Sequence, residues 1–191
     1  MRILALTSGG LDSLCMLHWL KTGSHAWSPD EVKAVHWSYG QGASREELLA
    51  ARKIADWTNT SIDCLKLHEN TRFNKGLIPF RNLFLVSATG MAEQNEDIII
   101  SIGIHSGTDY YDCSPAFVDE CDRILENHTW GRARLIAPFL HWTKADIFSY
   151  VYSQKLPTDL TYSCETGGTP PCGSCSSCKD RERLCAQERG L

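Results

Sequence analysis

The chain has 191 residues, nine of them cysteine, with 42% hydrophobic and 22% charged residues and a net charge of −4 from 19 basic and 23 acidic side chains. That length carries one domain with a substantial core, or one domain with a small appendage, and the composition excludes global disorder. The acidic balance excludes strong nonspecific attraction to nucleic acid, the apolar runs fall far short of the roughly 20 residues that cross a bilayer, and the first residues do not read as a leader, so a cytoplasmic setting with reduced thiols is expected.

Strand and helix signals alternate along the chain. Arg2 to Leu6 is a short apolar run that stops at Thr7-Ser8-Gly9-Gly10 and reads as a buried parallel strand entering a turn. Asp12 to Leu20 has helical spacing, with Leu14, Leu17 and His18 on one side, and Val32 to Trp37 reads as a second strand. Ala43 to Trp57 is an amphipathic helix, with Leu48, Leu49, Ala51, Ile54 and Ala55 set against charged residues. Ile62, Cys64 and Leu67 mark a third strand, Asn82 to Gln94 a helix interrupted by Gly90, and Asp97 to Ile104 a central fourth strand.

Phe117, Cys121, Ile124 and Leu125 mark the next helix, and Arg134 to Ala137 a short strand. Thr143 then caps a helix that has Asp146 in its first turn. The succession predicts an α/β fold, a Rossmann-like parallel sheet with helices on both faces. The composition shifts near Leu156. The expected organisation is therefore a domain over residues 1–155 and a C-terminal segment over 156–191, rich in Pro, Gly, Ser, Thr and Cys as far as Cys178, that packs on it and needs help to fold.

Ser8-Gly9-Gly10-Leu11-Asp12-Ser13 lies where a parallel strand turns into a helix, the place where open α/β sheets bind ligands. Paired glycines let main-chain N–H groups approach an anion, the serines add hydroxyls, and the helix adds its dipole. The feature reads as a phosphate cradle. It has neither the lysine of the common NTPase loop nor the three-glycine dinucleotide pattern, and an acid inside it makes sense when a divalent cation lies between Asp12 and bound phosphates.

Cys164-x7-Cys172-x2-Cys175-x2-Cys178 supplies four thiolates, enough to close a tetrahedral metal site. The spacing favours structural zinc over an iron–sulfur cluster or unligated thiols. Metal binding would supply the folding free energy that this Pro/Gly-rich stretch cannot obtain from apolar burial.

The loop Ser8-Gly9-Gly10-Leu11-Asp12-Ser13 resembles the pyrophosphate (PP) loop of the ATP pyrophosphatase superfamily, with its adenine nucleotide alpha hydrolase-like fold. Its union with the four cysteines resembles the 7-cyano-7-deazaguanine synthase family. Matching stretches include His36-Trp37-Ser38-Tyr39-Gly40-Gln41, Ile78-Pro79-Phe80-Arg81-Asn82, Gly103-Ile104-His105-Ser106-Gly107, Tyr111-Asp112-Cys113, Pro138-Phe139-Leu140, Trp142-Thr143-Lys144-Ala145 and Thr161-Tyr162-Ser163-Cys164.

The resemblance implies a homodimeric ATP-dependent, AMP-forming carbon–nitrogen ligase. It would convert 7-carboxy-7-deazaguanine with ammonia to the amide and then to 7-cyano-7-deazaguanine in the queuosine pathway. It implies nucleotide contacts along Thr7, Ser8, Gly9, Gly10, Leu11, Asp12, Ser13, Leu14, Cys15, Met16 and Leu17 and at Arg81 and Asn82. Catalytic roles would fall to Ser8, Asp12, Ser13, Arg81 and Lys144, with magnesium accompanying ATP and structural zinc on Cys164, Cys172, Cys175 and Cys178.

Four departures from the family pattern stand out. The segment from Ser106 to Ser114 is short, Tyr111 stands where the family usually has proline, Ser114 where it usually has arginine, and Phe80 where it usually has glycine. A serine cannot replace a bidentate guanidinium. These changes raise the alternative of an enzyme that stops at the amide, or passes the adenylated deazaguanine to another amine such as a protein N-terminus, in nucleic-acid modification or defence. A tRNA sulfur-transfer enzyme shares the loop, with Cys64 or Cys113 as sulfur carrier, but the acidic charge and the chain's size weigh against it. A noncatalytic zinc-stabilised protein is the remaining alternative.

Overall fold

The computed structural model describes residues 1–23, 31–67, 73, 78–93, 97–107 and 110–188. The strands are β1 (Arg2–Leu6), β2 (Glu31–Ser38), β3 (Ser61–Lys66), β4 (Ile98–Ile102) and β5 (Ala133–Ile136). The helices are α1 (Leu11–Thr22), α2 (Ser44–Trp57), α3 (Arg81–Ala92), α4 (Pro115–Thr129), α5 (Lys144–Gln154) and α6 (Ser176–Glu188). All strand pairs are parallel, in the order β3-β2-β1-β4-β5. This is the expected Rossmann-like sheet.

The strand side chains alternate between two cores, as the pleat requires. Ile3 and Ala5 of β1, with Ala34 and Ile99, pack under α1, α2, α5 and α6 through Leu14, Leu17, Ile54, Ile147, Val151 and Leu184. Leu4 and Leu6, with Val35, Ile98, Ile100 and Ile102, face α3 and α4 through Val86, Phe117, Cys121 and Leu125. Helices therefore cover both faces. Because β1 leads to β2 on one side while β4 lies on the other, the strand order reverses its winding between β1 and β4, and a crevice opens at their C-terminal ends.

Local details depart from the sequence reading. The α1 helix is buried nearly all round, including Cys15 and Met16, because neighbouring helices pack on the face away from the sheet. On α2 the buried face is Ala50, Ala51, Ile54 and Ala55, whereas Leu49 is exposed, and on α4 Ile124 is exposed. Gly90 is a close-packing position: a β carbon there would lie 3.3 Å from Leu125 Cδ2 and 3.6 Å from Ile100 Cδ1. The expected end of α3 at Gln94 lies outside the described residues.

From Leu156 to Cys175 the chain is irregular apart from the short turn Thr158–Leu160, as its composition implies. It is held by Leu156 and Leu160 in the first core, by the Tyr152 hydroxyl donating to the Leu184 carbonyl at 2.6 Å, and by Arg181 donating to Thr158 and Thr161. Among the described residues no helix is long and apolar enough to cross a membrane.

Candidate active site and metal centre

Gly9 sits at φ +89°, and a β carbon there would run into the Glu47 carbonyl of α2, with Ala50 Cβ at 3.0 Å. The loop thus rests directly on α2, where Ala50 and Ala51 leave room for it. Gly10 differs, with φ −80° and ψ 178°, conformations open to any residue, and the nearest atom to a β carbon there would be Ser8 Oγ at 3.4 Å. The fold itself does not require the second glycine.

Ser13 Oγ accepts the Ser8 N–H at 2.9 Å and bonds Ser8 Oγ at 2.9 Å, and Ser8 Oγ accepts the Gly10 N–H at 3.3 Å. The first intrahelical bond runs from Leu14 N–H to the Gly10 carbonyl at 3.1 Å. The N–H groups of Leu11, Asp12 and Ser13 precede it and have no intrahelical acceptor. The cradle is therefore shaped by its own serines, with helix-end donors left toward the crevice.

The structure places several residues of the expected contact set in the core. The Thr7 hydroxyl turns inward and donates to the Ala5 carbonyl at 2.9 Å, while Leu14, Cys15, Met16 and Leu17 are fully buried in the core. None of these side chains can reach a ligand. Burial also pushes the Cys15 thiol far up, and that of Cys121 up to about 11, which disfavours the thiolate form of both.

Three charged or polar groups converge beside the loop. Lys144 Nζ lies 3.3 Å from Asp12 Oδ1 and 3.5 Å from Oδ2, and His105 Nε2 lies 3.9 Å from Oδ2. His105 Nδ1 accepts the Gly107 N–H at 2.9 Å, which puts the imidazole proton on Nε2, facing Asp12. Burial holds His105 below the usual imidazole range against the pull of Asp12, so the ring is neutral near pH 7. Lys144 occupies the first turn of α5, where the helix dipole disfavours a cation. Asp12 offsets that cost, and the lysine charge is directed into the crevice.

Arg81 and Asn82 open α3 and do different things. The Arg81 guanidinium hydrogen-bonds the Tyr39 hydroxyl, interacts with the Glu47 carboxylate, and donates to Asn82 Oδ1 at 3.2 Å. Asn82 is buried and donates to the Asp112 carbonyl at 3.0 Å, which ties α3 to the turn before α4. Ser114 caps α4, accepting the Phe117 N–H at 3.2 Å with Pro115 as the first helical residue, a local helix-start pattern that the sequence reading overlooked. Thr108 and Asp109 of the shortened segment lie outside the described residues. His36 is a packed histidine bonded to the Thr7 carbonyl at 2.9 Å, and Arg134 pairs with Asp122 on the surface.

The sulfurs of Cys164, Cys172, Cys175 and Cys178 lie within 4.8 Å of one another. Tetrahedral zinc with Zn–S bonds of about 2.3 Å separates its sulfurs by about 3.8 Å, so the donor set and spacing fit such an ion. The Cys172 N–H donates to Cys164 Sγ at 3.3 Å. The hydroxyl and N–H of Ser174 each reach Cys172 Sγ at 3.5 Å and hold that thiol down to about 5. These donors favour thiolate, the ligating form.

The same segment touches the phosphate loop. The Tyr162 N–H donates to the Gly9 carbonyl at 2.9 Å, two residues before Cys164. A β carbon on Gly42 would meet the Thr166 carbonyl at 3.4 Å, so the cysteine-bearing chain also lies on the turn that leads into α2.

A family model described as Queuosine biosynthesis protein QueC matches residues 2–75 and 57–188. The chain belongs to this family. Among QueC-type relatives, a 7-cyano-7-deazaguanine synthase from Aquifex aeolicus is 31% identical over 94% of this chain and 94% of its own length. One from Methanosphaerula palustris is 30% identical over 98% and 95% respectively. The fold is also similar to the U34-tRNA thiolase NcsA from Methanococcus maripaludis with its [4Fe-4S] cluster, at a TM-score of 0.58 and 13% identity, covering 99% of this chain and 65% of that one. At that identity the likeness concerns the PP-loop fold alone.

Proposed function

We propose that the protein is an AMP-forming ligase that adenylates the carboxylate of 7-carboxy-7-deazaguanine and converts it with ammonia, through the amide, to 7-cyano-7-deazaguanine. The observation that carries this reading is the loop of Ser8 to Ser13 at the β1/β4 crevice, with the Asp12–Lys144 pair beside it. A carboxylate is a poor electrophile. Its oxygen attacks the α-phosphorus of ATP and pyrophosphate leaves, ammonia then attacks the acyl carbon and AMP leaves with formation of the amide. A second adenylation, by attack of the amide oxygen on the α-phosphorus of another ATP, releases a second pyrophosphate, and loss of AMP and of both nitrogen protons gives the nitrile.

The protein's part is positioning and charge neutralisation. Ser8 and the first-turn N–H groups would hold the leaving pyrophosphate, and Lys144 would add its charge there. Asp12 would supply a carboxylate ligand to magnesium, whose charge offsets that of the polyphosphate. Arg81, on the opposite lip, would orient the anionic acid or the nucleotide. Neutral His105 presents an N–H to the same space. The small-molecule partners of this reading are ATP, the heterocyclic acid and ammonia, its assembly is a homodimer checked by sedimentation, and the four cysteines hold structural zinc.

Pyrophosphate release on adding ATP, magnesium, the acid and ammonia, with mass spectrometry of the products, tests the reading. Wild type is expected to yield the nitrile, and Ser8→Ala and Asp12→Ala to abolish release with metal content intact. Full activity in either variant refutes the site, and accumulation of amide refutes the end point.

A further inference from the structure

Ile78-Pro79-Phe80-Arg81 forms a tight turn closed by the Arg81 N–H donating to the Ile78 carbonyl at 3.2 Å. Phe80 occupies its third position at φ 64° and ψ 6°, the backbone of a type II turn, where glycine or asparagine is the unstrained choice. The other non-glycine residues with positive φ among the described residues, Asn59, Trp130 and Lys155, follow α2, α4 and α5, where a left-handed residue commonly ends a helix. Phe80 instead precedes α3 and carries a bulky ring in a conformation that disfavours one.

That ring is 76% exposed and has no aromatic partner among the described residues. The chain thus bears two costs at one position, backbone strain and an uncovered apolar surface. Strain of this kind persists at ligand clamps.

The turn stands at the C-terminal edge of the sheet. Phe80 adjoins Arg81, the Arg81 guanidinium meets Tyr39 and Glu47, and the Glu47 backbone carries Gly9 of the phosphate loop. On the far side Asn82 fixes the turn to Asp112. The turn that carries the exposed ring therefore lies beside Arg81, one residue from a cation suited to an acid.

We propose that Phe80 is a specificity-determining residue whose ring stacks on the planar heteroaromatic body of the acid substrate. The proposal rests on the adenylation reading above. It assigns Phe80 to the acid rather than to the adenine of ATP or to a second copy of the chain. Stacking needs a flat face and no hydrogen-bond partner, which suits a ring fixed by its backbone and otherwise bare.

Steady-state pyrophosphate release by the full-length chain tests it with Phe80→Asn, which accepts the left-handed backbone and removes the ring, and Phe80→Trp, which keeps a ring. Phe80→Asn is expected to raise KM for 7-carboxy-7-deazaguanine at least about fivefold, the effect of deleting a stacking aromatic, without lowering the melting temperature. KM for ATP should stay within about twofold, and Phe80→Trp should restore affinity for the acid. Wild-type KM for the acid in Phe80→Asn, a rise confined to ATP, or a changed sedimentation coefficient each overturns the proposal. When wild type is active and Phe80→Asn matches it, only this inference fails; when wild type releases no pyrophosphate with the acid, the adenylation reading fails and this inference with it.

Discussion

The two glycines of the phosphate loop look equivalent in the sequence and are not equivalent in space. Gly9 is held in the left-handed region against the α2 backbone, so Gly9→Ala should destabilise the protein by roughly 1–3 kcal/mol and distort the loop. Gly10 has ordinary angles, and a β carbon there would make only ordinary van der Waals contacts, with Ser8 Oγ at 3.4 Å and the Tyr162 carbonyl at 3.9 Å. Gly10→Ala should therefore melt within a few tenths of a kcal/mol of wild type, on the order expected away from packed features, yet bind ATP more weakly. Thermal melts and ATP titrations of both variants check this pair, and equal losses of stability would contradict it. Lys144 teaches the same lesson: only the resemblance singles it out in the sequence, and the approach of α5 to α1 puts its ammonium on Asp12.

At the scale of elements, Asp122 joins α4 to β5. Its carboxylate accepts Arg134 Nε at 2.9 Å, Arg134 Nη2 at 2.5 Å and the Leu135 N–H at 2.8 Å, and the guanidinium chiefly holds it below the usual carboxylate range. A depressed folded pKa favours the folded state at every pH above the unfolded value near 3.9, and that contribution falls away as pH drops through the folded value. Wild type should therefore lose more stability than Asp122→Asn on acidification below about pH 4, in chemical melts at matched ionic strength. A parallel decline would mean that this carboxylate adds nothing. The elements themselves were largely legible: apolar runs marked β1 and β4, and Thr143 with Asp146 announced α5 through a capping box that is present with both of its hydrogen bonds. The start of α4 is equally local, a capping Ser114 followed by Pro115 at the first helical position.

For the whole molecule, the cysteine segment links folding to the candidate active site. Four thiolates close together repel one another without an ion, and the stretch around them has little apolar surface to bury. Cys175→Ser, or stripping with a thiol-competing chelator at constant magnesium, should lower the melting temperature by several degrees, on the scale of a few kcal/mol. It should also weaken ATP binding, because Tyr162 braces Gly9 only two residues from Cys164. Melting and nucleotide titration after metal removal, with metal content measured, check both effects. Unchanged ATP affinity in the stripped protein would uncouple the two sites.

The sequence by itself determined the alternation of strands and helices, the phosphate loop and the four thiols, because each is written in local periodicity, in turn chemistry or in ligand spacing. It also carried the family, since loop and cysteines occur together in one chain. Tertiary structure alone decided which residues around the loop face the crevice: Thr7 and Leu14 to Leu17 turn into the core, Asn82 pins a loop, and Lys144 and His105 arrive from distant elements. The reason is physical. A side chain's direction depends on which neighbours pack over it, and those neighbours lie tens of residues away in sequence.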